Sequence, residues 1–159
     1  MAKTKFCAGI SDISDSYMGC IIDDWGVLHD GEDAFPGTVD CLKELKERKK
    51  HIIILTNDRK RADEKKVELK KMGIGPSLYN QIVTPTEIIQ HGLREQKEDI
   101  FKDIGERAYV ITRRGDLSML DDTGIEVVDD VEQADFVLLL GMDYPMKTLE
   151  DYENVIRRA

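Results

Sequence analysis

Three short apolar runs constrain this chain more than any other feature. Each is closed by polar turn residues and followed by a stretch of helical periodicity. The runs lie at residues 17–22, 51–55 and 81–83. After the first, residues 38–50 read as a helix: Val39, Leu42 and Leu45 recur every three positions, and Lys and Arg crowd the last turn, as the helix dipole favours. After the second, residues 59–72 read as a charged helix stopped by Gly73. After the third, Thr84-Pro85-Thr86-Glu87 combines a capping box with proline at the first helical position, opening a helix to about residue 93. Strand and helix alternating in this way imply a parallel sheet with right-handed crossovers, an α/β fold. The four branched residues Ile52, Ile53, Ile54 and Leu55 predict a second strand covered on both faces.

Residues 94–106 are charged and mark a boundary, giving domains at 1–93 and 94–159. Beyond it, strands are expected at 108–112, 125–128 and 134–140, with helices at 116–121 and 148–158. Charge narrows the function. The net charge is −9, so nucleic acid and anionic membranes are repelled, while a divalent cation is welcome. The first 17 residues lack the apolar core of roughly 7–15 residues that a signal peptide needs. No run approaches the about 18 apolar residues of a membrane span. Cys7, Cys20 and Cys41 are odd in number and lack paired spacing, which fits free thiols in a reducing, cytoplasmic setting. His29, His51 and His91 are scattered, so a histidine metal site is not expected.

The chemistry gathers at two predicted strand ends. Ligands of open α/β sheets bind beyond the carboxyl ends of the strands. Asp23 and Asp24 follow the first run there, and Thr56-Asn57 follow the second. Asp also favours plain turns, and Thr and Asn serve them too. A carboxylate held at a strand end can accept a phosphoryl group that water later removes. Such a site needs Mg²⁺ to neutralise charge and donors for the phosphoryl oxygens.

Asp23-Asp24-Trp25-Gly26-Val27-Leu28-His29-Asp30-Gly31, Pro36-Gly37 and Leu55-Thr56-Asn57 resemble the haloacid dehalogenase superfamily. The branch most similar is class IIA, the p-nitrophenyl-phosphatase-like hydrolases with a large cap after the second motif. The resemblance implies a Rossmann-like core with an α/β cap lobe, and that this chain matches the N-terminal part, with an incomplete core. It implies a Mg²⁺-dependent phosphatase acting on a small phosphorylated substrate. Asp23 would be the nucleophile and a Mg²⁺ ligand, and the backbone carbonyl of Trp25 a second ligand. Thr56 would bond the phosphoryl group, Asn57 line the substrate side and Gly26 allow the tight turn.

The sequence departs from the family pattern in two places. The general acid/base Asp, normally two residues after the nucleophile, is replaced by Trp25. Asp24 and Asp30 are the nearby carboxyl groups. The later lysine and acidic motifs normally follow the cap, beyond residue 159. Gly115-Asp116 with Asp121 matches the spacing of the acidic motif and would make Asp116 a metal ligand in a capless enzyme. The alternative function is a catalytically impaired or truncated binding module that keeps the fold.

Overall fold

The computed structural model describes residue 4, residues 6–143 and residues 145–158. It divides into two compact units, residues 1–87 and 88–159.

In the first unit, a short helix α1 (Ser11–Ser14) precedes strand β1 (Gly19–Ile22). Helix α2 (Thr38–Glu47), strand β2 (His51–Leu55), helix α3 (Ala62–Lys71) and strand β3 (Gln81–Val83) follow. The strands form one parallel sheet in the order β1-β2-β3. Ile22 pairs with Ile54, and Leu55 with Val83. The parallel α/β reading of this region holds, with helix and strand ends shifted by a few residues. Ile52, Ile54 and Ile82 sit with Leu42, Leu45 and Leu69 of α2 and α3 in one buried cluster.

The expectation that β2 is covered on both faces is corrected. Its burial alternates along the strand: Ile52 and Ile54 are buried, while His51 and Leu55 are exposed. On β1, Ile21 is 69% exposed. Among the described residues the sheet therefore buries one face. A branched apolar run shows that a strand can be covered twice, but the elements packed on it decide whether it is.

Helix α4 (Pro85–Glu95) spans the division between the units. The Thr84 hydroxyl donates to the Glu87 carboxylate, side chain to side chain. Glu87 does not stop there: its Oε1 accepts the Ala62 N–H at 2.6 Å, tying down the first turn of α3.

The second unit has its own three-stranded parallel sheet. Strands β4 (Arg107–Ile111), β5 (Glu126–Val127) and β6 (Phe136–Leu139) lie in the order β5-β4-β6. Helix α5 (Leu149–Arg158) closes the chain. Leu93, Phe101 and Leu120 are its buried centre, with Val110, Phe136 and Leu138 against them. The helix expected at 116–121 is absent and only a 3₁₀ turn stands at Ser118–Leu120. Asp116 and Asp121 have extended backbones with ψ of 111° and 133°, which breaks the helical ladder on both sides. No helix of the described residues is long and apolar enough to cross a membrane.

Candidate active site

Parallel pairing brings the carboxyl ends of β1 and β2 side by side. Asp23 is the first residue past β1, and Thr56 the first past β2. Asp23 is exposed, Asp24 is fully buried and Trp25 is 68% exposed. This alternation continues the strand's own: successive side chains point to opposite faces. The backbone then turns sharply. The Asp24 carbonyl accepts the N–H groups of Val27 at 3.2 Å and Leu28 at 2.7 Å. Gly26 supplies the positive φ of 83° that the turn requires. Its N–H donates to the His29 carbonyl at 2.8 Å, so that donor is used within the turn. The Trp25 indole lies against Gly31, where a Cβ would stand 3.2 Å from Nε1.

The residue that organises the turn is Asp24. Its Oδ1 accepts the Trp25 N–H at 2.6 Å, and its own N–H donates to Asp23 Oδ1 at 2.9 Å. Its Oδ2 pairs with Lys65 Nζ at 2.7 Å, from the middle of α3. The Thr56 Oγ1 accepts the Asp58 N–H at 3.0 Å. Thr56 is buried at this strand end. Asn57 is exposed at the same strand end.

Lys65 is 2% exposed and stands among three carboxylates: Asp24, Asp58 Oδ2 at 3.3 Å and Glu68 Oε2 at 3.0 Å. Burial disfavours the charged form of both Lys65 and Asp24, but pairing outweighs it. The bonds to Asp24 and Glu68 push the Lys65 amine up. The bonds from Lys65 and the Trp25 N–H hold the Asp24 carboxyl below the usual carboxylate range. His29 is buried nearby. Its Nδ1 accepts the Gly31 N–H at 3.0 Å, which leaves the proton of a neutral ring on Nε2, 3.7 Å from Asp24 Oδ2.

Neither carboxyl considered as a replacement proton donor suits the task. Asp24 is locked as an anion. Asp30 is exposed, and its Oδ1 accepts the N–H groups of Asp33 and Glu32, which also hold it ionised. Asp116 lies in the second unit, where its Oδ1 accepts the N–H and hydroxyl of Ser118. Among the described residues no group of three or more His, Cys, Asp or Glu side chains is placed to hold a metal. The hard oxygens at the exposed Asp23 nevertheless suit Mg²⁺, which commonly takes one or two carboxylates and keeps several waters.

Sequence reasoning missed Lys65, reading residues 59–72 only as a charged helix. The signal was present: Ala62, Lys65, Leu69 and Met72 recur at spacings of three and four, and Leu69 is fully buried. A lysine on the apolar stripe of a helix needs a buried anion.

This pair makes stability depend on acid. The Asp24 carboxyl is lower in the folded protein than its unfolded value near about 3.9. Its contribution is complete above that value and is lost as pH falls through the depressed one. Asp135 adds a second such group, brought down to about 2 by the Arg107 guanidinium and the backbone N–H groups of Arg107 and Glu106. The melting temperature is therefore expected to fall as pH drops below about 4. Asp24→Asn is expected to make that fall shallower; an unchanged acid limb would contradict the assignment.

The family model described as haloacid dehalogenase-like hydrolase matches residues 20–126. No match was found among curated protein sequences. Among solved structures, a haloacid dehalogenase-like hydrolase from Brucella suis is 25% identical with a TM-score of 0.72, over 94% of this chain and 54% of that one. The 4-nitrophenylphosphatase of Thermotoga maritima is 26% identical with a TM-score of 0.60, over 89% and 51%. A possible sugar phosphatase from Cytophaga hutchinsonii, 18% identical, shares the fold with a TM-score of 0.70 over 98% and 56%. The chain spans about half the length of these structures. The expected Rossmann-like α/β fold and its class IIA resemblance both hold. On the matched model and these shared folds, the chain belongs to the haloacid dehalogenase-like hydrolase family.

Proposed function

We propose that this chain provides the nucleophile of a Mg²⁺-dependent phosphatase of small phosphorylated metabolites, working through an aspartyl phosphate on Asp23. The observation that carries the reading is the exposed Asp23 carboxylate at the end of β1, beside the end of β2 that bears Thr56. Residues 1–93 then serve as the N-terminal part of a hydrolase core and 94–159 as part of an α/β cap. A cytoplasmic setting agrees with the free Cys7, Cys20 and Cys41.

An Asp23 oxygen attacks phosphorus, and the bond from phosphorus to the leaving oxygen breaks. The leaving oxygen takes its proton from water, because the Trp25 indole nitrogen does not exchange protons near neutral pH. A second water attacks the aspartyl phosphate, which releases inorganic phosphate and restores the carboxylate. The Asp24 N–H, already on Asp23 Oδ1, orients the carboxylate. Thr56 bonds a phosphoryl oxygen, and Asn57 lines the substrate side. Asp23 and the Trp25 carbonyl would hold Mg²⁺, which when bound neutralises phosphoryl charge.

Phosphate release from p-nitrophenyl phosphate with Mg²⁺ tests the reading. Asp23→Asn is expected to abolish it; equal rates for the two proteins would end the proposal. One observation favours a second reading, a module that binds phosphate without turnover: Trp25 stands where the proton donor belongs. That reading predicts binding of inorganic phosphate by the parent chain with no release above the Asp23→Asn background.

A further inference from the structure

We infer that Lys65 is a positioning residue for Asp23, acting through Asp24. For its catalytic consequence the inference rests on the phosphatase reading above. Lys65 Nζ holds Asp24 Oδ2 at 2.7 Å. The other oxygen of the same carboxylate accepts the Trp25 N–H at 2.6 Å, and the Asp24 N–H donates to Asp23 Oδ1 at 2.9 Å. Asp24 lies between Asp23 and Trp25 in the chain, so fixing its side chain fixes the peptide groups on either side.

Lys65 is itself held. It sits in α3, whose first turn is anchored by Glu87 through the Ala62 N–H. Glu68, one turn further on, and Asp58, in the segment that follows β2, take its remaining donors. The nucleophile is thereby referenced to a helix rather than to its own exposed loop. A site built on rigid elements holds its geometry better than one on a loop.

A purely structural role does not explain the pair. Apolar side chains of similar volume commonly replace a buried ion pair with no loss of stability, or with a gain. What they cannot reproduce is the direction of the Asp24 carboxylate, which dictates where the Trp25 and Asp24 N–H groups point.

The test separates fold from position. Asp24→Leu/Lys65→Met removes both charges together and is compared with the parent and with Asp23→Asn. Two readouts are taken: kcat and KM for p-nitrophenyl phosphate with Mg²⁺, and emission from Trp25, the chain's one tryptophan. At a melting temperature close to the parent's, the double variant is expected to lose roughly tenfold to a hundredfold in kcat, with little change in KM. Its Trp25 emission is expected to shift. Parental kcat and parental emission together would overturn the inference. If the parent is no faster than Asp23→Asn, the phosphatase reading falls and emission alone decides: a shift keeps the positioning role, and none removes it. If the double variant does not fold, Lys65→Met, which removes the donor and leaves Asp24 in place, is read by the same criteria.

Discussion

Lys65→Met is expected to lower the folding stability of the chain by about 3 kcal/mol, the lower end of the range for removing one partner of a buried ion pair. Asp24 would stay buried as an anion without its cation. The Trp25 N–H still holds that carboxylate, which keeps the loss from the upper end near about 5 kcal/mol. The companions of Lys65 matter less. Asp58 and Glu68 are partly exposed, and Glu68 keeps Lys60 at 2.9 Å. Against a typical domain stability of about 5–15 kcal/mol, the effect is large. The urea midpoint measures it. Asp24→Leu added to Lys65→Met is expected to return most of the loss, because no unpaired charge is then buried. A midpoint unchanged in Lys65→Met would show that the pair is hydrated in solution.

Trp25→Asp is expected to raise phosphate release by about 10²–10⁴-fold, the usual worth of a positioned proton donor. The substitution places a carboxyl two residues after Asp23, where the family pattern puts its acid/base. Little stability is at risk, since Trp25 is 68% exposed and its indole contact is with Gly31. A new limb in the pH–rate profile should accompany the gain, absent from the parent. Release that stays at the parental rate would mean that proton donation does not limit this chain.

Much of the candidate site was legible because its signals are local. Asp23 and Thr56 each follow an apolar run, and parallel pairing of β1 and β2 follows from the alternation of strands and helices. The start of α4 was legible from Thr84, Pro85 and Glu87, but the reach of Glu87 to the Ala62 N–H was not, since 25 residues separate the partners. The second unit was read less well. The helix expected at 116–121 gives way to extended backbone at Asp116 and Asp121, which leaves only the turn at Ser118–Leu120.

By itself the sequence determined the order of elements from β1 to α4, the parallel first sheet and the place of Asp23 at a strand end. All of these depend on periodicity and spacing within short windows, which any folded form of the chain must respect. Tertiary structure alone decided that Asp24 is buried, that Lys65 of α3 meets it, and that among the described residues β2 is covered on one face. The cost of burying a charge is set by what stands opposite, and the partner of Asp24 lies on another element, 41 residues away in the chain.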